Sequence, residues 1–347
     1  MNLLQHKNNF LSTITDKNSE LFMYLDTIGK NKKRPLGKMS PTYWQIELTR
    51  GCNLRCSCCP TRLFSNDGYK FLEIDTWKSI ITIIKEVTPY CRVDFALAGE
   101  PTLNPNILEI LKIGREISPN TFFEIITNGT LLIKGNITYK DLFDAGANLV
   151  FVNMYSPKEE HFNLAKESGY SWYDRNDKNM KQGVPAWNYN KDMNIKQIVF
   201  QDNPYNWPES KKRKGILSSF LNNLDWEAAN KDFNIAYVKE GEAPNRRCSQ
   251  PFRAVNISYD GYYSFCCLDF MREVYGTIGN VSEGIDGFIN FWFGRYMQNT
   301  RKLLYNKNRN LHNICKRCDY IFSRCDIPVW CDGVLDYYFE DNIWKRR

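Results

Sequence analysis

The amino-acid sequence predicts an α/β fold, a parallel sheet covered by helices, with a smaller cysteine-rich region behind it. Three observations carry this. Between residues 41 and 205, short β-rich runs alternate with segments of helical periodicity, the rhythm of βαβ units. The polar and cysteine-bearing residues of that stretch fall just beyond the strands, where the sites of parallel α/β folds form. The twelve cysteines divide into four at 52–59, one at 91 and seven from 248 to 331, with none in the 156 residues between Cys91 and Cys248. That gap implies two metal-bearing regions separated by an ordinary scaffold.

Taken in order, residues 1–40 read as helical cover, since SELFMYLDTI has an apolar face. YWQIELT (43–49) is the first strand and feeds the cysteine loop. TWKSIITIIKEV (76–87) is a helix with Trp77, Ile80, Ile84 and Val87 on one face. VDFALAG (93–99) is the second strand, and NILEILKIGREI (106–117) a helix with Ile107, Leu111 and Gly114 on one side. FFEIITNG (122–129) is a third strand stopped by Asn-Gly; YKDLFDAG (139–146) is a short helix with a glycine stop. NLVFVNMY (148–155) and NIKQIVFQ (194–201) supply the fourth and fifth strands. Residues 156–193 read as irregular, either a substrate-facing insertion or a surface loop. Residues 206–245 form a charged, partly helical bridge. From 246 the texture changes, and FRAVNISYDGYYSFCC alternates and turns at Asp260-Gly261, a hairpin signal.

Composition narrows the function classes. Hydrophobic residues make up 43% of the chain, enough for a core, so disorder is excluded. The net charge of +7 is mild, and the basic runs at 30–34 and 211–215 read as solvated faces rather than as a nucleic-acid footprint. The N-terminus lacks the pattern of a signal peptide, and no apolar stretch reaches the roughly 18 residues of a membrane span. A cytoplasmic location is therefore expected, where thiols stay reduced and twelve cysteines read as metal ligands rather than disulfides.

Cys52, Cys56 and Cys59 are spaced C-x3-C-x2-C. A structural zinc site needs four ligands, usually from two knuckles, and the nearest second pair is far along the chain. Cys56 and Cys59 alone would make a C-x2-C redox pair but leave Cys52 unexplained. Three thiolates in one tight loop suit a [4Fe–4S] cluster whose fourth iron stays open to a small molecule.

The neighbouring motifs bear on that choice. LAGEPTLNP (97–105) ends the second strand and ITNGT (126–130) ends the third, in the same order as the cysteine loop. On these residues the stretch 43–205 resembles the radical S-adenosylmethionine superfamily, whose signature is C-x3-C-x2-C after the first strand of a partial (β/α)6 barrel. The resemblance implies that Cys52, Cys56 and Cys59 hold three irons and that S-adenosylmethionine chelates the fourth. It implies that Glu100 accepts from the cofactor's amino group and that Gly99 lets the backbone approach closely. Ala98 departs from the family's GGEP. Thr127 and Asn128 are implied near the cofactor, Asn153 near its ribose. Cys58 stands where relatives carry a bulky residue beside the adenine, a packing residue rather than a fourth ligand.

Behind this core, Cys248 and Cys266 are arranged C-x12-G-x4-C, followed by Cys315-x2-Cys318. Read alone, these four ligands leave zinc and [4Fe–4S] both open. Read with the core, residues 246–347 resemble the SPASM and twitch extensions, small α+β domains carrying auxiliary iron–sulfur clusters. One auxiliary cluster on Cys248, Cys266, Cys315 and Cys318 is then expected. Cys267, Cys325 and Cys331 are spare, because the continuation departs from the two-cluster pattern. Cys91 reads as a buried apolar thiol.

An auxiliary cluster with four protein thiolates has no open iron, so its expected role is electron transfer. That favours a two-electron oxidation of a small polar or sugar-like substrate, with Asp269 as the candidate base and Asp260 as a turn residue. Oxidation or crosslinking of a ribosomally made peptide is the alternative, and a metal-containing nucleic-acid-binding protein the non-enzymatic one. The 40 residues before the core are too short for a leader-peptide-recognition domain and lack its strand pattern, which favours a small molecule or a peptide bound without that module. An external electron donor such as flavodoxin or ferredoxin is the expected partner.

Overall fold

The computed structural model describes residues 3–13, 21, 25–55, 61, 67–154, 157–175, 177, 194–202, 247–267, 269, 272, 274–317, 337–341 and 343–346. The sequence reading placed Cys56, Cys58, Cys59, Cys318, Cys325, Cys331 and the bridge at 206–245; all of these lie outside the described residues.

Strands β1 (Tyr43–Ile46), β2 (Thr49–Arg50), β3 (Lys70–Phe71), β4 (Arg92–Phe95), β5 (Phe122–Thr127), β6 (Leu149–Met154), β7 (Ser171–Asp174), β8 (Gln197–Asp202), β9 (Ala254–Ile257) and β10 (Tyr263–Ser264) precede a C-terminal hairpin, β11 (Tyr337–Glu340) and β12 (Ile343–Arg346). Eight of them form one sheet in the order β10-β9-β1-β4-β5-β6-β8-β7. Every pairing in it is parallel except β9 with β10. The helices are α1 (Leu3–Thr13), α2 (Ile74–Val87), α3 (Ile107–Ile117), α4 (Thr130–Ile133), α5 (Tyr139–Ala145), α6 (Lys158–Ser168), α7 (Gln250–Arg253), α8 (Gly284–Phe293) and α9 (Arg295–Tyr305).

Strand alternation sorts the side chains onto two faces. Trp44, Ile46, Val93, Phe95, Phe123, Ile125, Val150 and Val152 enter one large apolar cluster with the helices. The opposite face carries a smaller apolar set, Phe122, Leu149, Phe151, Tyr173 and Val199. Trp77 is the hinge of the helical layer: its ring meets Phe95 and Phe123 edge-on, and its indole N–H donates to the Ile110 carbonyl at 2.7 Å. Gly114 permits this approach, since a Cβ there would lie 2.8 Å from Phe123 and 2.9 Å from Trp77. The short helix α5 starts at a capping box between Thr138 and Asp141 and stops at Gly146, whose φ is +122°.

Three features depart from the sequence reading. The stretch 156–193 is not wholly irregular, because it contains α6 and β7. The apolar spacing of α6 is weak, with only His161 and Ala165 buried, so periodicity did not reveal it. β7 then pairs outside β8, so the last two strands run in reversed order across the sheet. Finally, the Asp260-Gly261 hairpin does not stand apart from the core sheet. β9 lies parallel to β1, Tyr43 opposite Ala254 and Ile46 opposite Ile257, and extends the sheet on its other edge. The C-terminal region also packs on the N-terminal cover, through Trp292 Nε1 to the Met39 carbonyl at 2.9 Å, and on β1, through Phe288 stacked on Trp44.

Candidate active site

After β1 the chain runs on through β2, and Gly51 just beyond it lies parallel to the segment that follows β4. Gly51 and Gly99 form a β-bridge, with Glu100 N–H donating to the Gly51 carbonyl at 3.0 Å and Gly51 N–H to the Ala98 carbonyl at 3.2 Å. A Cβ on Gly99 would fall 1.8 Å from the Thr49 carbonyl oxygen. The close backbone approach at Gly99 is thus made by the chain's own cysteine-bearing strand, the physical reason glycine stands there.

Glu100 follows, 2% exposed. Its Oε1 accepts from Thr102 N–H (3.0 Å), Thr102 Oγ1 (2.6 Å) and Thr127 Oγ1 (2.7 Å), and its Oε2 accepts from Asn128 N–H (2.7 Å). Burial raises the Glu100 carboxyl above its ordinary value, against the pull of these four donors. One carboxylate thereby locks the end of β4 to the end of β5.

Asn128 carries the link on to the cysteine loop. Its Nδ2 donates to Asn53 Oδ1 at 2.9 Å and lies 3.5 Å from Cys52 Sγ; Leu54 N–H points at the same sulfur at 3.4 Å. Asn53 Nδ2 donates to Thr130 Oγ1 (2.6 Å), and Thr130 donates through both its hydroxyl (2.6 Å) and its N–H (2.9 Å) to Asn128 Oδ1, closing a ring. Two N–H donors on one sulfur suit a thiolate, so Cys52 fits a metal-ligand role. Gly129 turns the chain at φ +73°, directly above the buried ring of His161. Asn153 sits half-buried near the end of β6, outside this network.

The segments that carry three of the four cysteines assigned to the second centre are tied to one helix, α9, by their neighbouring residues. Arg247, beside Cys248, donates through Nε to the Tyr305 carbonyl at 2.9 Å, and Arg301 Nε donates to the Pro251 carbonyl at 2.8 Å. Phe265, beside Cys266, packs on Tyr296 and on the ring of His312. His312 in turn accepts at Nδ1 from the N–H groups of Ile314 and Cys315, both at 3.2 Å, and meets Thr300 Oγ1 at Nε2 (3.1 Å). Two donors on Nδ1 place the ring proton on Nε2, and burial pushes the His312 pKa down to about 4. Cys248, Cys266 and Cys315 are all half-buried against the same core. Among the described residues, no three His, Cys, Asp or Glu side chains converge closely enough to hold a metal ion.

The sequence reading missed His312 and the platform helix. A histidine three residues before C-x2-C was the available signal. It also missed Glu47, Asn256 and Arg272, which line a cavity with Ala98, Cys266, Cys267 and Asp269. Asp269, the candidate base, is 6% exposed there. Asp260 is bound into the hairpin by Ser258 Oγ (2.6 Å) and Tyr275, as a turn residue should be. Cys91 is 1% exposed and its thiol is pushed up to about 12 by burial, the behaviour of a core residue.

Comparison with known proteins agrees with this geometry. A family model described as the radical SAM superfamily matches residues 46–182, and one described as an iron–sulfur cluster-binding domain, SPASM, matches residues 248–319. A GTP 3',8-cyclase from Trichodesmium erythraeum is 29% identical over 124 residues, 35% of this chain and 37% of that protein. A tungsten-containing aldehyde ferredoxin oxidoreductase cofactor-modifying protein from Pyrococcus furiosus is 29% identical over 113 residues, 32% and 30% of the two chains. The chain thus matches only about a third of the length of these relatives. The crystal structure of BtrN in complex with AdoMet and 2-DOIA superimposes with a TM-score of 0.56 at 19% identity, over 81% of this chain and 93% of that one, a likeness of fold. No described helix is long and apolar enough to cross a membrane.

Proposed function

We propose that this chain, which belongs to the radical SAM superfamily and carries a SPASM domain, catalyses the two-electron oxidation of a small polar, sugar-like molecule. The supporting observation is the hydrogen-bonded chain Cys52–Asn128–Glu100–Thr127, which joins three strand-end motifs around one sulfur. When bound, the cluster and S-adenosylmethionine supply a 5'-deoxyadenosyl radical, which removes a hydrogen atom from the substrate.

In this reading Cys52, Cys56 and Cys59 ligate the first cluster, and Cys58 packs beside the cofactor. Gly99 keeps the cysteine strand seated on β4, while Glu100, Thr127 and Asn128 hold the pocket wall in one arrangement; Asn153 reaches the ribose. Cys248, Cys266, Cys315 and Cys318 hold an auxiliary cluster, whose four protein thiolates leave no open iron and suit it to accept an electron. Asp269, lining the cavity with Cys266, takes the substrate proton. A cytoplasmic flavodoxin or ferredoxin supplies the reducing electron. The small polar substrate is preferred because BtrN, bound to 2-DOIA, shares the fold across most of both chains.

Anaerobic reconstitution tests the proposal. About eight irons per chain are expected, from two four-iron clusters. Reductant and S-adenosylmethionine should then yield 5'-deoxyadenosine, lost in Cys56→Ala. A small-molecule fraction of host extract should stimulate that product and lose about two mass units, the two hydrogens of a dehydrogenation. Failure of a fully iron-loaded sample to form 5'-deoxyadenosine sinks the assignment; stimulation by a peptide fraction alone moves it to peptide oxidation.

A further inference from the structure

Between the end of β4 and the Cys266 loop lies a cavity that the cofactor network does not use. Its walls come from the residue just after β1 (Glu47), the segment after β4 (Leu97, Ala98), β9 (Asn256) and the loop carrying Cys266, Cys267, Asp269 and Arg272. Glu47 is 1% exposed. Its Oε2 accepts from Tyr259 N–H at 3.0 Å and from Arg272 Nη2, while its Oε1 is buried with no hydrogen-bond partner. Asn256 is fully buried; its Nδ2 lies 3.5 Å from the Ser264 carbonyl, and its Oδ1 has no partner. Arg272 Nη1 is likewise buried and unbonded. The hydroxyl of Tyr263, another lining residue, is buried and unbonded too. Buried polar atoms are almost always satisfied, so four open ones on the residues of a single cavity call for a bound polar group.

Backbone strain falls at the same place. Among the described residues, four non-glycine residues have positive φ, and two of them, Leu97 at +77° and Arg272 at +54°, border this cavity. A left-handed leucine is costly, and such strain collects where a fold holds a functional geometry. Here it aims the arginine at Glu47 and sets the segment before Gly99.

We propose that this cavity is a recognition subsite for a polyhydroxylated or amino-polyol ligand, gripped by Glu47 Oε1, Asn256 Oδ1 and Arg272 Nη1. Two of these three atoms are acceptors, one on a carboxylate, and the Tyr263 hydroxyl can take either part, so the ligand must bring hydrogen-bond donors. A hydroxyl can satisfy both partners of the ion pair, donating to Glu47 and accepting from Arg272; a second hydroxyl or an amine serves Asn256. An acidic ligand would set its charge against Glu47 and leave the acceptors unmet. The subsite deepens the proposed function and rests on that reading for the claim that its occupant is the substrate.

The test uses the reconstituted full chain with S-adenosylmethionine bound and titrates myo-inositol, glucosamine and glucarate by calorimetry. The expected result is binding of myo-inositol or glucosamine, at least tenfold stronger than that of glucarate. Asn256→Leu should weaken it about tenfold, the cost of one lost hydrogen bond to a buried group. Glu47→Gln should do the same, and its thermal melt reports separately whether the ion pair is needed for folding. Absence of binding by both neutral and amino probes, equal binding of glucarate, or an unaffected Asn256→Leu would each overturn the subsite. Formation of 5'-deoxyadenosine, followed in the same samples, reports on the enzyme assignment alone: its absence beside intact binding removes that reading and leaves the subsite.

Discussion

The side-chain amide of Asn128 lies 3.5 Å from the sulfur of Cys52, so residues 76 positions apart meet at the one described cysteine of the first loop. The contact is held from both sides, by Asn53 and Thr130 around the amide and by Glu100 on the Asn128 N–H. If Cys52 ligates the first cluster as proposed, an N–H directed at its thiolate favours the cluster's more negative, reduced state. Asn128→Leu should therefore lower the first cluster's midpoint potential on the order of 50 mV, the equivalent of about 1–1.5 kcal/mol in a one-electron couple. Potentiometric titration followed by electron paramagnetic resonance measures this. An unchanged potential would show that the amide shapes the loop without tuning the sulfur.

Gly99→Ala should be far more damaging than its size suggests. The added methyl would meet the Thr49 carbonyl oxygen at 1.8 Å and the Gly51 carbonyl at 2.7 Å, both main-chain atoms that cannot rotate aside. β2 must lift off β4, carrying the cysteine loop with it. A destabilisation of about 3 kcal/mol is expected, at the upper end for overpacking. Chemical denaturation gives the value, and iron content should fall to that of the auxiliary centre.

These two contacts mark what could be read in the sequence and what could not. The strands ending in LAGEP and ITNG were legible, because apolar runs closed by Gly or Asn-Gly are local signals. So were the faces of α2 and α3, where Trp77, Ile80, Ile84 and Leu111 recur at helical spacing. Illegible were the facts that depend on which strands meet. β9 beside β1, and Glu47 facing Arg272 across 225 positions, are products of sheet order, and no periodicity encodes them. Gly99 shows the middle case. Its need for an absent side chain was apparent, but the neighbour that imposes it is Thr49, brought there by the turn of the cysteine strand.

His161 should make the protein acid-sensitive. It is fully buried beneath Gly129, and burial pushes its pKa down to about 4 from 6.5. Because the folded value is the lower one, the unfolded chain takes up the proton first as pH falls. Stability from this group is complete above pH 6.5, declines between 6.5 and 4, and is lost below 4. The full difference is on the order of 3 kcal/mol. Denaturation midpoints measured from pH 7.5 to 4 should fall accordingly, and His161→Phe should flatten that part of the curve. A variant with the wild-type slope would assign the acid sensitivity elsewhere.

His312 should decide whether the auxiliary centre forms. Its Nδ1 receives the N–H groups of Ile314 and Cys315, its Nε2 meets Thr300 on α9, and its ring packs on Phe265 beside Cys266. One neutral imidazole thereby spans the Cys315 turn, the platform helix and the Cys266 loop. His312→Phe keeps the packing and removes the acceptor, leaving the buried Ile314 N–H unbonded at a cost of about 1–3 kcal/mol and the half-buried Cys315 N–H without this partner. Reconstituted protein should then fall from about eight irons towards four, while 5'-deoxyadenosine formation at the first cluster persists. His312→Asn, which returns an acceptor oxygen near the position of Nδ1, should recover part of the iron. Full iron loading in both variants would mean that α9 alone arranges the cysteines and that the histidine only fills space.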